Sequence, residues 1–557
     1  MPESFGTIIL IGLGLAIVAR FVPRLLSLLS ITRRSQREER ERRLAREPDL
    51  PVARVYHDLL VAEGAPAGID DRTWRDLDLD DVFCALDSTV SEPGRQYLYR
   101  QLRTPRMSAE PLERFERVVG EMSGSLDSVK SLRAALSKLQ DPRAARLVNL
   151  MFGELPARPK FWLLFPVLTT AAVTCLAVAP FRPAALMWWV GVALTNVVVQ
   201  VAYKPRVKRF VPAFHEIPRF LRAAQRIGNL PLTEIAPERE TLTAGATHLR
   251  SLARATRWLT FEPEQTRDEI AAIYEYVNLL FLFDLNAFVF AVDEVRASRD
   301  RLRAMFDAMG YLDAAQSVAA WRASLERWCV PQFTEPQKAM AVDVLVHPLL
   351  EQPVANSLII DNTSVLVSGS NMAGKTTFVR ALGVNAVLAQ TVATVCAASY
   401  RAPFLHVRAS IGRADSVLEG KSYYLAEVES VLALIRAKRD GAQHLFLLDE
   451  TFRGTNTTER VAAAYSVLRH LDQGLDLVVV ATHDLEVLDL LGDAYAPYHF
   501  REQFVDEELT FDFLLQPGRA STRNAIALLR YMKYPEAVVA DALAHLDWQG
   551  HRRDAGS

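Results

Sequence analysis

Gly369-Ser-Asn-Met-Ala-Gly-Lys375-Thr376 is the stretch on which the fold turns. It follows the apolar run Ser364-Val-Leu-Val-Ser368 and precedes a helical stretch from Thr377 to about Val395. Strand, glycine-rich loop and helix, with the spacing G-x-x-x-x-G-K-[ST], make a phosphate cradle. Glycines let the backbone wrap tightly, so that several N–H groups point at phosphate oxygens beside the positive end of a helix dipole. Lys375 can reach the β- and γ-phosphates, and the Thr376 hydroxyl can ligate Mg²⁺. The expectation is a nucleoside triphosphate held by Gly369, Ser370, Asn371, Met372, Ala373, Gly374, Lys375, Thr376 and Thr377.

From about Val342 onward, short β-branched runs alternate with helical stretches. Strands are expected at Ser364–Ser368, Leu445–Leu448, Leu475–Ala481 and Leu509–Leu515, which describes an α/β nucleotide-binding domain. The second of these runs ends in Asp449-Glu450. An Asp there can hold the Mg²⁺ shell, and a neighbouring Glu can act as general base for, or orient, the attacking water. Val478-Val-Val-Ala-Thr-His483 is a further strand whose terminal His can donate to a γ-phosphate or position water. Gly420-Lys-Ser422 precedes an amphipathic helix, Tyr423 to Lys438, with Ser422 as its N-cap.

A chain of 557 residues exceeds one core and implies three or four units. Half of it is hydrophobic while 23% is charged, a mixture that suggests soluble domains plus membrane segments. A net charge of −2 excludes a global basic field for nucleic acid. Cys84, Cys175, Cys329 and Cys396 are scattered, with no zinc spacing and no disulfide framework. Phe5 to Val22 is nearly continuous apolar sequence, followed rather than preceded by positive charge at Arg20, Arg24, Arg33, Arg34 and Arg37. This reads as an uncleaved anchor, with a signal peptide as its rival. Phe161–Pro180 and Ala184–Tyr203 are two further apolar stretches, with Arg182 between them and basic flanks on both sides. The charge rule gives three spans (about 5–22, 161–180 and 184–203), N-terminus outside, and the C-terminal domain on the cytoplasmic face of the cell membrane. Residues 33–46 read as an exposed charged helix, and 50–150 as helical. Ile270–Val292 is interrupted by Glu275, Asn278, Asp284 and Asn286, and is expected as one long, largely buried helix.

Taken together, these residues resemble the MutS family, ABC-type ATPases of DNA mismatch repair and recombination. The loop Gly369–Thr376 is similar to the family's Gly-Pro-Asn-Met-x-Gly-Lys-Ser, with Ser370 replacing the usual Pro. Asp415–Glu427 resembles the signature segment, Asp449–Thr457 the Walker B strand and its loop, and Ala481-Thr-His483 the switch histidine. His347-Pro348 and Val354-Ala-Asn356 sit where the family enters the domain beside the adenine. Phe452 stands where the mismatch-repair members usually have Gly. The match extends more weakly upstream, where Leu86-Asp-Ser-Thr89, Gly94-Arg95 and Leu102-Arg-Thr-Pro105 resemble the start of the helical lever.

The resemblance implies an α/β P-loop ATPase domain of ABC/MutS type at the C-terminus, preceded by an all-α lever; the apolar stretches add transmembrane helices to that lever. It implies ATP and Mg²⁺ as cofactors, with Thr376 and Asp449 on the metal and Lys375, Glu450 and His483 in catalysis. It implies a homodimer in which Ser422 reaches the partner's nucleotide. The expected domains are 1–30 (anchor), 31–50 (charged linker), 51–160 (lever, first part), 161–203 (membrane hairpin), 204–340 (lever, second part) and 341–557 (ATPase with C-terminal dimerisation helices). Residues 1–50 leave no room for a mismatch-reading domain, and no Phe-x-Glu wedge is found there. The functional expectation is a membrane-anchored ATPase coupled to DNA; the alternative is a membrane switch acting on a protein or lipid partner. A transporter ranks last.

Overall fold

The computed structural model describes residues 50–140, 146–208, 211–259, 276–369, 373–412, 423–438, 441–450, 452, 455–505, 508–519, 534–542 and 544. The expected anchor at 5–22 lies outside them. The chain forms two compact units: Met1–Ala67, Leu86–Arg103 and Arg114–Ser324 in one, and Gly68–Ala85, Thr104–Glu113 and Leu325–Ser557 in the other.

The second unit contains two sheets. A four-stranded sheet has the order β1-β5-β2-β3, with β1 Gln332–Phe333, β2 Ala339–Leu345, β3 Asn356–Asp361 and β5 Ser399–Ala402. A six-stranded sheet has the order β10-β9-β4-β8-β7-β6. Its strands are β4 Ser364–Ser368, β6 His406–Ile411, β7 His444–Asp449, β8 Leu477–Ala481, β9 Tyr495–Val505 and β10 Glu508–Pro517. All its pairings are parallel except that of β9 with β10. Strands β4, β7 and β8 are buried along their whole length, as the continuous apolar runs predict for a sheet covered on both faces. The helix Lys375–Val392 packs so closely that a Cβ on Gly383 would lie 2.4 Å from Leu447 Cδ1 and 2.6 Å from Leu77 Cδ2.

Gly68–Ala85 was expected in the lever, yet it groups with the nucleotide-binding unit for a clear reason. β6 is an edge strand, with backbone donors left over by the sheet. Ala409 N donates to Thr73 Oγ1 at 3.1 Å, and Ile411 N to an Asp76 carboxylate oxygen at 2.9 Å. Arg408 reaches Asp70, and Arg380 reaches Asp78 at 3.0 Å.

The first unit is helical in its described residues. Asp313, fully buried on the helix Arg299–Ser324, accepts from Val90 N, Ser91 N, Ser91 Oγ and Gln316 Nε2. It thereby ties the 87–91 break, between the helices Leu79–Leu86 and Glu92–Arg103, to a residue more than two hundred positions away. Burial pushes its carboxyl up to about 6.

The apolar hairpin comprises the helices Leu164–Val178 and Ala185–Lys208. Among the described residues, Ala185–Pro205 is long and apolar enough to cross a membrane. Leu164–Val178 is apolar but has 15 residues, about 22 Å against a hydrocarbon core of about 30 Å. Turns at 161–163 and 179–180, rather than helix, make up the rest of the expected 161–180 stretch. Met187 and Trp188 are 80% and 75% exposed, and Val167, Leu194, Val198 and Val201 also face outward.

The expected single helix over 270–292 is broken. Residues 276–281 are helical, Leu282 is left-handed at φ 56°, and a new helix runs Phe283–Ala297. The break leaves carbonyls that a continuing helix would have used. Asn196 Nδ2 donates to Leu280 O at 2.5 Å and Thr169 Oγ1 to Phe281 O at 2.6 Å. Asn286 Nδ2 donates to Thr169 Oγ1, and Gln200 Nε2 to Asp284 Oδ2. Three polar side chains of the apolar hairpin thus converge on this break.

Gly94 lies in a helix, where alanine is ordinarily favoured by roughly 0.5–1 kcal/mol. A Cβ there would meet Asp313 Oδ2 at 2.1 Å. Gly94→Ala is therefore expected to destabilise the protein by about 1–3 kcal/mol. Gly120→Ala, with no atom within 4 Å of its added Cβ, is expected to leave stability level or raise it. Thermal unfolding of both variants in detergent checks the contrast.

Candidate active site

The register of three parallel strands builds the site. Val367 of β4 pairs with Ala481 of β8, and Asp449 of β7 pairs with the same Ala481. The carboxyl ends of these strands therefore lie level, the edge at which open α/β sheets bind ligands. Two hydrogen bonds beyond the strands extend the alignment: Thr482 N to Val367 O at 3.0 Å, and Glu450 N to Ala481 O at 2.8 Å.

On that edge the expected residues meet. Gly369 at φ 137° and Gly374 at φ 100° hold left-handed backbone that suits glycine, and a Cβ on Gly369 would lie 3.1 Å from Phe500 O. Gly374 caps the helix beginning at Lys375. Lys375 is buried; its Nζ donates to Gly369 O at 2.6 Å and lies 3.8 Å from Glu450 Oε1. Thr376 Oγ1 donates to Asp449 Oδ2 at 2.6 Å. Ala373 is buried and Thr377 exposed. Ser370, Asn371, Met372 and Ser422 lie outside the described residues.

Glu450 is buried and its backbone is left-handed at φ 46°. For a non-glycine residue this conformation costs of order 1–3 kcal/mol and persists only where the surroundings enforce it. Glu450 Oε2 lies 3.6 Å from His483 Nδ1, and Asp484 Oδ1 lies 3.6 Å from His483 Nε2. The neighbouring Glu450 carboxylate raises the His483 pKa above its ordinary value, against the opposing effect of burial; Asp484 adds to the rise.

Two residues of this arrangement carry no expectation from the sequence. Arg460, on the helix Thr457–Leu471, forms a bidentate pair with Asp484 at 2.7 and 2.9 Å. Asp484 N donates to Thr482 Oγ1 at 3.0 Å, so the turn carrying His483 is held from both sides. Thr482-His-Asp484 is a readable turn signal, but nothing in the sequence pairs it with an arginine 24 residues upstream.

Phe452 explains a departure from the family pattern. Its φ is 64°, a conformation that favours glycine. Here the ring is buried instead, in the cluster containing Leu366, Phe446, Leu448 and Val480.

The donor set fits a hard cation. A hydroxyl and a carboxylate 2.6 Å apart, Thr376 and Asp449, supply the one or two protein oxygens that Mg²⁺ takes beside water and phosphate.

Residues 365–548 match the family profile described as MutS domain V. The chain is 26% identical over 512 residues to the DNA mismatch repair protein MutS of Thermus aquaticus, a match covering 85% of this chain and 61% of that protein. It is 28% identical over 312 residues to DNA mismatch repair protein MutS 2 of Halobacterium salinarum, covering 54% of this chain and 35% of the relative. Against MutS of Thermus thermophilus it is 29% identical over 288 residues, covering 51% and 34%. The chain thus spans between about a third and three-fifths of the length of these curated relatives.

The His483 imidazole is expected to titrate above its ordinary value of 6.5 in the nucleotide-free protein. Glu450→Gln should move it downward, as followed by the ring-proton chemical shift. A raised folded pKa contributes stability that is complete below the unfolded value and lost as pH rises through the folded one. The variant should flatten stability across that window.

Proposed function

We propose that this chain, a member of the MutS family, binds and hydrolyses ATP with Mg²⁺ in composite sites shared by two copies. The observation that carries the reading is the meeting of Lys375, Thr376, Asp449, Glu450 and His483 on one sheet edge. In this reading the loop from Gly369 to Thr377 wraps the phosphates and Lys375 exchanges its bond to Gly369 O for a phosphate oxygen. Thr376 and Asp449 hold the metal shell. Mg²⁺ bound there would neutralise charge on the β- and γ-phosphate oxygens. Glu450 accepts a proton from the water whose oxygen attacks the γ-phosphorus, and the bond to the ADP oxygen breaks. His483, 3.6 Å away, faces the Glu450 carboxylate that acts as base. His483 donates to the γ-phosphate. Ser422 of a second copy closes over the same phosphate, so ATP favours the closed pair because only that state contacts it from both halves.

We further propose that the protein sits in the cell membrane with its nucleotide unit on the cytoplasmic side. Support comes from the outward-facing apolar side chains of the hairpin, which water solvates poorly. Coupling to DNA, in a repair- or recombination-like role, is proposed from the names of the relatives. The second reading, a membrane switch acting on protein or lipid without DNA, is favoured by the same exposed hairpin and by a net charge of −2.

Lys375→Ala is expected to abolish ATP binding. Glu450→Gln should keep binding while lowering turnover by about 10²–10⁴-fold, the usual contribution of a positioned base. Nucleotide affinity and phosphate release, measured on the full chain in detergent, check both; full turnover in either variant would sink the assignment. ATP-dependent binding to duplex, mismatched and branched DNA across a salt series separates the two outputs. No binding at low salt selects the second.

A further inference from the structure

We propose that a basic cleft in the helical unit binds the phosphate-bearing headgroup of an anionic phospholipid. The cleft has a volume of about 460 Å³ and lies between the helix Val211–Ile227 and the turn Ser137–Leu139. Four cations line it: Lys138 from the turn, and Arg219, Arg222 and Arg226 from the helix. Spacings of three and four residues put the three arginines on one helical face. Ala135 and Ala223, with short side chains, leave the space between these long ones.

Charge is the second observation. Arg219 pairs with the buried Glu216 at 2.8 Å. Among the described residues no carboxylate pairs with Lys138, Arg222 or Arg226. Converging like charges repel one another, and a polyvalent anion relieves that repulsion while accepting several charge-assisted hydrogen bonds. Arginine's planar fork suits phosphate oxygens in particular.

Chain continuity with the apolar hairpin favours a lipid as the source of the phosphate, the arginines lying about 12–22 Å along the helix that follows it. The helix Val211–Ile227 begins three residues after the end of the apolar helix Ala185–Lys208. Basic clefts beside membrane helices on the cytoplasmic side suit anionic headgroups. The assignment rests on the membrane reading of the hairpin.

The test uses the full chain in a neutral detergent. Short-chain phosphatidylglycerol and short-chain phosphatidylcholine are titrated, and binding is read from the lipid-dependent rise in Tm. Phosphatidylglycerol is expected to bind and phosphatidylcholine not to. Lys138→Gln/Arg222→Gln/Arg226→Gln, which spares the paired Arg219, should lose about fivefold in affinity per charge removed. Its lipid-free Tm should stay level. Arg250→Gln/Arg254→Gln, exposed positions elsewhere on the unit, should keep wild-type affinity. Undiminished phosphatidylglycerol binding in the triple variant overturns the site. Inorganic pyrophosphate binding without any preference for phosphatidylglycerol overturns the lipid in favour of a soluble phosphate. Loss of duplex-DNA affinity in the triple variant, with lipid binding unchanged, overturns it in favour of nucleic acid. Flotation with phosphatidylcholine vesicles reads the premise separately. A chain that floats but shows no preference for phosphatidylglycerol overturns the cleft alone. A chain that floats with no vesicle overturns the membrane reading and this assignment with it.

Discussion

Everything at the nucleotide edge depends on the parallel register that sets Val367, Ala481 and Asp449 level. A slip of one residue in β8 would turn its side chains to opposite faces. It would also carry Thr482 and His483 away from Glu450. The slip is opposed by burial, because Leu366, Phe446, Leu448, Val478 and Val480 all contribute to one apolar cluster. The site's chemistry is thus polar, but its geometry is set by hydrophobic packing one layer below.

How much of this was readable from sequence follows from how local each cause is. β4 runs Ser364–Ser368 as its apolar run implies, and the helix after the glycine loop begins at Lys375, two residues before the expected start. Both signals are contained in a dozen residues. β2, β3 and β5 were not anticipated individually, since their burial alternates and their partners are distant in sequence. Arg460 escaped notice because an arginine on a helix has no pattern until the fold sets Asp484 beside it. Gly68–Ala85 was placed with its sequence neighbours. Only the unfilled edge of β6 shows why Thr73 and Asp76 belong elsewhere.

In the helical unit, the departures share one physical origin: backbone groups left over where a helix stops. At 87–91 the leftover donors of Val90 and Ser91 find the Asp313 carboxylate. At Leu282 the leftover carbonyls of Leu280 and Phe281 find Asn196 and Thr169. Pro93, in the first turn of the helix Glu92–Arg103, marks the first break in the sequence, whereas no proline marks the second. Each break has a further marker on its partner: a buried Asp in one case, and isolated polar residues in an apolar hairpin in the other. Such residues are costly to bury unless hydrogen-bonded, and their presence points to backbone needing a partner.

Phe452 gives the loop after Glu450 a property that glycine there would not. Moving Phe452 outward must draw its phenyl ring from the core into water, at a cost of about 1.5–3 kcal/mol. The proposed base is therefore latched by burial as well as by the hydrogen bond from Glu450 N to Ala481 O. Burial weakens on cooling. The hold on Phe452 is thus a thermal variable, weaker in the cold, in a way that the surrounding ion pairs do not share.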